Sequence, residues 1–409
     1  MQKASGLPDG AERASRQHQI AIVGGGSAGI TVAARLRRAR PGLDIAIVEP
    51  SAKHYYQPLW TLVGAGLVRK EKSARDEAPL IPRGVAWIHD AVDRFEPDRG
   101  RLYTARGHEL RYEWLVVCPG IQLDWDAIPG LTKVLGQDGV CSNYAYEQCE
   151  RTWETIRSFR GGTAIFTMPP PPIKCAGAPQ KIMYLADDQF RRAGVRDATR
   201  IVYLAATPSI FSVPVYARTL DRVCERKGIE RHFRHELLEL RPDRREARVV
   251  NKETQEERVI AYDMIHVTPP QSAPDVVKRS PLADAAGWVE VDKHTTRHLR
   301  YPNVFSLGDA SSLPTSRTGA AVRKQAPVLV ANLLAALDRK PLGAHYDGYA
   351  ACPIPTGDRK LLLCEFDYDL KPAPSIPLLD TTVERRILYP LKRYGLPALY
   401  WHAMLRGLA

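Results

Sequence analysis

Short apolar runs with the length of buried strands alternate with helically spaced apolar positions along most of the chain. The first run, residues 20–23, leads into the glycine-rich residues 24–29, and helically spaced apolar residues follow over residues 30–36. A second apolar run, residues 45–48, ends at Glu49. A strand, a glycine turn, a helix, a strand and an acidic residue, in that order, predict a Rossmann-like unit that binds a dinucleotide.

The glycines of this turn have different predicted roles. Gly24 permits the tight turn, Gly26 lets the backbone approach a pyrophosphate, and Gly29 lets the helix pack closely against the strand. The helix that follows offers free N–H groups and the positive end of its dipole to the phosphates. Glu49 is expected to accept hydrogen bonds from the adenosine ribose. The candidate cofactor-binding residues here are Gly24, Gly26, Ser27, Ala28, Gly29 and Glu49. A glycine turn without a ligand is the alternative.

Further strand-like runs continue this first unit at residues 85–88, 91–95, 101–104 and 114–118, before Pro119 and Gly120 carry the chain out of it. The aromatic, glycine-rich residues 51–66 lie at the carboxyl end of the second strand, where ligand crevices form. We therefore add Gln57, in this segment, and Val92, in a later strand, to the candidate cofactor-binding residues.

A second Rossmann-like unit begins with the predicted strand of residues 162–167. Where a second glycine turn would bind NADH, the chain has Met168 followed by the four prolines of residues 169–172. Prolines make this segment stiff and remove N–H donors, and the next strand, residues 200–205, ends without an acidic residue. The fold of a nicotinamide domain is therefore expected without its binding chemistry.

A third motif returns the chain to the first unit. The apolar run of residues 303–307 ends in Gly308 and Asp309, which matches the second flavin fingerprint, whose aspartate contacts the ribityl and phosphate part of FAD. A helix predicted from about residue 320 to residue 337 directs the positive end of its dipole at the flavin. The two fingerprints in this order predict FAD as the cofactor, and no metal site is expected.

These patterns predict an α/β protein with two Rossmann-like domains of the FAD/NAD(P)-binding type, as in disulfide-reductase-like flavoproteins. We expect a disordered N-terminal tail over residues 1–19 and a discontinuous FAD-binding domain over residues 20–120 and 285–340. Residues 121–284 form the second Rossmann-like domain without an NADH fingerprint, and residues 341–409 form a C-terminal region that is expected to contact the membrane.

The bulk composition narrows the function classes. The formal net charge of the 409 residues is +12, but the basic residues are scattered, so the chain lacks a nucleic-acid arm and no nucleic-acid partner is expected. The first 19 residues have no apolar core typical of a secretory signal. No stretch of about 18 uninterrupted apolar residues occurs, so we expect no spanning helix.

The C-terminal tail mixes aromatic, aliphatic and basic residues in short runs, most clearly over residues 387–394 and 399–406. Two interpretations remain open: a helix packed on the core, or an interfacial membrane segment. In the second, the basic residues of the tail meet anionic headgroups: Arg385, Arg386, Lys392, Arg393 and Arg406. A deletion of residues 385–409 is then expected to release the protein from membranes.

The chain resembles the sulfide:quinone oxidoreductases, in particular the subgroup that includes the mitochondrial enzymes, from about residue 20 to residue 407. The resemblance is carried by YQPLWTLVGAG (56–66), KCAGAPQKIMYL (174–185), HVTPP (266–270), DAAGWV (284–289), YDGY (346–349) with Cys352 and Pro353, and EFDY (365–368). It implies FAD, the oxidation of hydrogen sulfide, a membrane quinone of the ubiquinone type, and a sulfur acceptor such as sulfite or a thiol. It also implies a monotopic protein, which we expect at a bacterial inner membrane.

The resemblance assigns Cys175 and Cys352 as the redox cysteine pair, forming a disulfide or a version with an extra bridging sulfur. Hydrosulfide then attacks the sulfur of Cys352, leaves a persulfide there, and frees Cys175 as a thiolate. Lys174 beside it is expected either to lower the pKa of that thiol or to face solvent. Some branches use a third, early cysteine, but no such role is carried over to Cys118. The others are expected to be buried and inert: Cys141, Cys149, Cys224 and Cys364.

Three other classes share parts of these patterns. A type II NADH:quinone oxidoreductase needs the NADH fingerprint that residues 168–172 lack. Another FAD-dependent disulfide oxidoreductase, of the glutathione reductase type, needs a CxxxxC pair in the first domain, which residues 51–66 do not contain. An FAD-bound interaction protein without activity needs no cysteine beside the missing fingerprint. Reduction of the flavin by sulfide alone or by NADH alone discriminates among them.

Overall fold

The computed structural model describes residues 16–376 and 378–409. Its strands, in chain order, are β1 (Arg16–Val23), β2 (Ile45–Val48), β3 (Lys53–Tyr55), β4 (Ala74–Asp76), β5 (Val85–Ile88), β6 (Val92–Glu96), β7 (Arg101–Thr104), β8 (Glu109–Val117), β9 (Gln122–Leu123), β10 (Val140–Cys141), β11 (Gly162–Met168), β12 (Thr199–Ala205), β13 (Ile229–Phe233), β14 (His235–Arg241), β15 (Glu246–Asn251), β16 (Glu257–Ala261), β17 (Met264–His266), β18 (Gln271–Ser272), β19 (Val304–Ser306), β20 (Ala350–Gly357) and β21 (Lys360–Phe366).

The α-helices are α1 (Ser27–Ala39), α2 (Trp60–Gly64), α3 (Leu131–Val134), α4 (Cys149–Ser158), α5 (Ala178–Arg192), α6 (Pro214–Lys227), α7 (Asp275–Lys278), α8 (Gly319–Leu337) and α9 (Leu396–His402). Parallel strands with helices between them confirm the predicted α/β fold class. The domain boundaries given above remain predictions.

The first sheet has the strand order β5-β2-β1-β8-β7-β6, and β19 pairs with β8. The strands β5, β2, β1, β8 and β19 are parallel, whereas β6 and β7 add an antiparallel ribbon. The four residues of β2 are fully apolar and buried, as expected for a strand covered on both faces. The glycine turn and Glu49 therefore lie together at the carboxyl edge of β1 and β2.

The N-terminal boundary differs from the prediction. Residues 1–15 of the expected tail lie outside the described residues, but β1 begins at Arg16 rather than after residue 19. Arg16, Gln17 and His18 continue the parallel ladder with β8 through their backbone. The apolar pattern missed them because their side chains are polar, while the ladder needs only peptide groups.

The second sheet has the order β10-β17-β11-β12-β13 with all of its pairs parallel, which is the Rossmann-like arrangement predicted for this part. The antiparallel strands β14, β15 and β16 form a separate three-stranded sheet. Between β11 and α5 the chain runs through the proline segment to Cys175. The position that a glycine turn occupies in a nicotinamide domain is thus taken by the segment that carries Cys175.

The C-terminal region begins with the antiparallel hairpin of β20 and β21 and ends in α9 and a short helical turn. Tyr400, Trp401, Met404 and Leu405 of this end are buried in the large core cluster that also contains β1 and α1 residues. By length and composition one described helix, α8, would suffice to cross a membrane. It packs against α1, and its buried residues include Val322, Leu329 and Leu333, so it is a core helix of the first unit.

Candidate functional site

A cavity of about 490 Å³ connects the glycine turn, the cysteine pair and the C-terminal tail. Its lining includes residues 24–28 and Glu49, then Cys175 and Asp309, and also residues of β21 and the tail. It therefore opens at the carboxyl edge of the parallel strands, where ligands of such sheets bind.

The glycine turn has the shape that a pyrophosphate requires. A Cβ on Gly24, whose φ is +101°, would overlap the carbonyl of Cys118, and a Cβ on Gly29 would overlap the carbonyl of Gly24. A Cβ on Gly26 would instead meet no atom within 4 Å and point into free space. Gly24 and Gly29 are therefore required for the packing of the turn, whereas Gly26 leaves room for a ligand at the N-terminus of α1.

The acidic residues of both fingerprints line this cavity. Glu49 accepts hydrogen bonds from the backbone N–H groups of Gly25 and Ser51, both at 2.7 Å, and burial raises the pKa of its carboxyl group. Burial also raises the pKa of Asp309, although the Arg317 guanidinium opposes this shift. Gly308 and Asp309 lie directly after β19, as the second fingerprint predicts.

Of the two remaining candidate cofactor-binding residues, one lines the cavity and the other packs in a core. Gln57 lines the cavity, where its Oε1 accepts a 2.8 Å hydrogen bond from Lys174 Nζ. Val92 does not line it: the residue lies in the antiparallel ribbon, is paired with Thr104, and packs on a separate core cluster. The structure therefore does not place Val92 where it would contact a cofactor in this cavity.

Cys175 and Cys352 are brought together from opposite parts of the chain. Their Sγ atoms lie 3.4 Å apart, and both residues are free thiols in the structure. Cys175 precedes α5 with a φ of +52°, a left-handed conformation that is unfavourable for a side chain with a Cβ. Its backbone N–H donates to the carbonyl of Arg317 at 2.8 Å, which holds the cysteine beside the segment that leads into α8.

Cys352 lies on β20, and a glycine gives it room. A Cβ on Gly177 would lie 2.5 Å from Cys352 Sγ and 3.1 Å from Ile354 Cδ1. Gly177 has a helical φ of −85°, so the position needs glycine for the close approach and not for its backbone conformation. The sequence CAG over residues 175–177 thus builds one face of the cysteine pair.

A buried lysine, not the neighbouring one, polarises this pair. Lys181 Nζ donates to Cys175 Sγ at 2.9 Å, from the first turn of α5. The hydrogen bond from Cys352 and then the charge of Lys181 hold the pKa of Cys175 well below its usual range, against the effect of burial. The hydrogen bond to Cys175 and burial raise the pKa of Cys352 well above its usual range.

The expected role of Lys174 in activating Cys175 is therefore wrong. Its Nζ donates to Gln57 and to the carbonyl of Tyr144, at 2.8 and 3.2 Å. Its ammonium group is thus bonded to oxygen acceptors away from the thiol, so adjacency in sequence does not bring Lys174 to Cys175 Sγ. Lys181 was missed because its distance from Cys175 depends on how α5 begins after the left-handed cysteine.

A second buried lysine comes from the tail. Lys392 lines the cavity, donates to the carbonyl of Pro58 at 2.8 Å, and is 2% exposed. Burial and the nearby charge of Lys181 lower the pKa of Lys392 to about 7. This lysine can therefore hold or release a proton near neutral pH, and it does not meet lipid headgroups as the sequence had suggested.

The five other cysteines are buried thiols. Cys118 lies against the glycine turn, with its Sγ 3.8 Å from the carbonyl of Gly24, and burial raises its pKa. Cys364 pairs with Cys352 across the hairpin, and burial raises its pKa well above the usual range. Both environments favour the inert thiol over the nucleophilic thiolate.

Comparisons with known proteins identify relatives over almost the whole chain. Residues 18–156 match the family described as pyridine nucleotide-disulphide oxidoreductase. The chain is 46% identical to the mitochondrial sulfide:quinone oxidoreductase of Dictyostelium discoideum over 95% of this chain and 86% of that protein. It is 44% identical to the enzyme of the same name from Mus musculus over 96% of this chain and 88% of that protein.

A solved structure shares the fold at low sequence identity. The sulfide:quinone oxidoreductase of the bacterium Aquifex aeolicus superposes with a TM-score of 0.78 at 18% identity, over 96% of this chain and 91% of that one. Long relatives at 46% and 44% identity that are covered almost throughout establish the family, and members of this flavoprotein class carry a flavin. This chain is a member of the sulfide:quinone oxidoreductase family.

Proposed function

We propose that this protein oxidises hydrogen sulfide through Cys175 and Cys352, passes two electrons by way of FAD to a membrane quinone of the ubiquinone type, and transfers sulfane sulfur to an acceptor such as sulfite or a thiol. The observation that carries the proposal is the contact of Lys181 Nζ with Cys175 Sγ, 2.9 Å, in a cavity that also holds Cys352 and the glycine turn.

FAD fits the dinucleotide end of this cavity. Gly26 leaves open space above the N-terminus of α1, while Glu49 and Asp309 supply acceptors at the positions that the two fingerprints assign to ribose and ribityl hydroxyls. When bound, FAD supplies the acceptor for two electrons. The proposed cofactor-binding residues are Gly24, Gly26, Ser27, Ala28, Gly29, Glu49, Gln57, Gly308 and Asp309.

The charges around the two sulfurs support one direction of attack. In the oxidised protein, hydrosulfide bonds to the sulfur of Cys352, and the bond from that sulfur to Cys175 breaks. The electron pair of the broken bond stays on Cys175 as a thiolate, and Cys352 keeps the added sulfur as a persulfide. Lys181 stabilises the leaving thiolate, and a thiol of lower pKa leaves faster. A second nucleophile then removes the outer sulfur.

The tail end of the cavity suits the apolar ring and chain of a quinone. Leu363, Ile376, Leu391, Leu396 and Leu399 line it. Lys392 lines the same cavity, and a pKa of about 7 suits it to supply a proton there near neutral pH. Sequence patterns had not identified these residues, because they come from β21 and three separate parts of the tail.

The anaerobic protein should be bleached at 450 nm by sulfide, and a short-chain quinone should restore the flavin colour. NADH should fail to bleach it, since prolines and Cys175 occupy the loop between β11 and α5. Bleaching by NADH and not by sulfide would instead support a type II NADH:quinone oxidoreductase. No bleaching by either reductant would contradict the proposal.

We further propose that the protein docks on a membrane surface. Part of the tail is core packing, because Tyr400, Trp401 and Lys392 are buried. Several large apolar side chains of the C-terminal region nevertheless remain exposed: Leu370, Leu378, Val383, Ile387, Tyr394 and Leu408. The exposed Arg386 adjoins Ile387 in sequence, and basic and apolar side chains together suit an anionic lipid interface. The names of the mitochondrial relatives give no support to the bacterial inner membrane that the sequence analysis expected.

Replacing both Ile387 and Tyr394 by aspartate should weaken binding to anionic liposomes by roughly 10- to 100-fold, because two apolar contacts are lost and two negative charges are added. Co-sedimentation measures this change. The control is Leu299→Asp, which alters a leucine that is 63% exposed outside the C-terminal region. Equal binding of the double variant and the control would contradict the proposed docking surface. Deleting residues 385–409 is no longer a clean test, since it removes buried residues.

A further inference from the structure

A chain of four polar side chains links the C-terminal tail to the glycine turn. Tyr400 Oη lies 2.6 Å from Ser27 Oγ and 2.6 Å from His54 Nε2. On the other side of the imidazole ring, His54 Nδ1 lies 3.0 Å from Glu77 Oε2. The Ser27–Tyr400–His54–Glu77 chain therefore joins α9, α1 and the segment after β2 at one end of the cavity.

These side chains are shielded from solvent and face the ligand space. His54, Glu77 and Tyr400 are 3%, 1% and 3% exposed, and all four members of the chain line the cavity. Tyr400 also packs against the ring of Tyr56 with the centroids 4.3 Å apart. A buried polar group that loses its partner is costly, so each member constrains the position of the next.

Glu77 supplies a second observation that points to a ligand. Its Oε1 is buried and has no hydrogen-bond partner among residues 16–376 and 378–409. A Cβ on Gly25 would lie 2.6 Å from this atom, so the free acceptor faces the turn itself. Both oxygens of Glu49 already accept backbone N–H groups. Glu77 therefore adds to Glu49 a second carboxyl group at this turn, and one of its oxygens is not engaged by any donor among the described residues.

The tail also packs on the helix that would bind the phosphates. Met404 and Leu405 share a core cluster with α1 residues, and a Cβ on Gly407 would lie 2.9 Å from the backbone nitrogen of Arg35. Trp401 packs below the guanidinium of Arg75 at 4.3 Å. Residues 396–409 therefore fix Tyr400 against Ser27, the first residue of α1.

We propose that the C-terminal segment 396–409 retains the flavin nucleotide: Tyr400, supported by His54, holds Ser27 in place at the pyrophosphate turn, and Glu77 accepts a hydroxyl of the nucleotide. This inference rests on the proposed FAD site. Tyr400 and His54 are positioning residues, whereas Glu77 contacts the ligand.

Release of FAD from the purified holoprotein tests this role. Tyr400→Phe keeps the ring and removes the hydroxyl, so FAD fluorescence after dilution should appear roughly 5- to 50-fold faster than in the wild type. The matched control is Tyr394→Phe, which alters a tail tyrosine that is 63% exposed and should release FAD at the wild-type rate. Equal release from Tyr400→Phe and the control would overturn the proposal.

Two further measurements separate positioning from general stability. The increase in melting temperature that FAD gives to the apoprotein should be smaller in Tyr400→Phe than in the wild type. Ser27→Ala combined with Tyr400→Phe should release FAD no faster than the faster single variant, because both remove the same contact. A full FAD-dependent increase, or multiplied effects in the double variant, would contradict the proposal. A colourless wild-type protein would contradict the proposed FAD site itself.

Discussion

Replacing Cys175 by serine is expected to slow the reduction of bound FAD by sulfide by at least roughly a thousandfold, as happens when one member of a catalytic unit is removed. A serine cannot form the bridge to Cys352, and it cannot leave as a thiolate beside Lys181. Stopped-flow absorbance of the anaerobic protein measures the rate. Cys352→Ser should cause a loss of similar size, and the double variant should lose little more than either single variant.

A buried cysteine elsewhere provides the control. Cys224 lies in α6, fully buried beside Tyr184, and Cys224→Ser should keep most of the sulfide-dependent reduction. If Cys175→Ser reduced its flavin at the wild-type rate, the assignment of the cysteine pair would be incorrect. If Cys224→Ser lost as much as Cys175→Ser, the losses would report on folding.

Replacing Lys181 by methionine should raise the pKa of Cys175, because the charge that stabilises its thiolate is removed. The pH profile of Cys175 alkylation in the reduced protein should move to higher pH. The poorer leaving thiol should also slow flavin reduction by roughly 10- to 100-fold at neutral pH. Methionine keeps the length of the buried side chain, so the change mainly concerns charge.

Lys174→Met is the matched control for this prediction. Lys174 adjoins Cys175 in sequence, but its ammonium group is bonded to Gln57 and to the carbonyl of Tyr144. The alkylation profile of Cys175 should therefore stay at the wild-type pH. An upward movement in Lys174→Met, with none in Lys181→Met, would restore the expectation from sequence and contradict the geometry.

Local patterns were sufficient to predict the first Rossmann unit and its glycine turn. Gly24 and Gly29 leave no room for a Cβ, and Gly26 faces the cavity, because the strand–turn–helix connection fixes all three over six residues. The prolines after β11 likewise predicted that the second Rossmann-like unit lacks a glycine turn for a phosphate. The pairing of Cys175 with Cys352 could be predicted only through the family resemblance, since Cys175 precedes α5 and Cys352 lies in β20, far apart in the sequence.

The contacts that complete the site depend on tertiary packing. Lys181 contacts Cys175 from the first turn of α5, which begins three residues after this left-handed cysteine. Lys392 and Tyr400 face the cavity because the tail folds back over α1. Their alternating aromatic and basic pattern also suits a membrane interface, so sequence alone could not separate buried from exposed members. Val92 does not line the cavity, since its position in a strand does not specify which core cluster its side chain joins.

The direction of sulfide attack is the central claim, and labelled sulfide tests it most directly. One equivalent of sulfide carrying a heavy sulfur isotope is added to the oxidised protein without an acceptor. The protein is then alkylated at low pH, digested and examined by mass spectrometry. The account predicts the labelled persulfide on the peptide with Cys352 and an alkylated, unlabelled thiol at Cys175. The label on Cys175, with Cys352 as the free thiol, would contradict it.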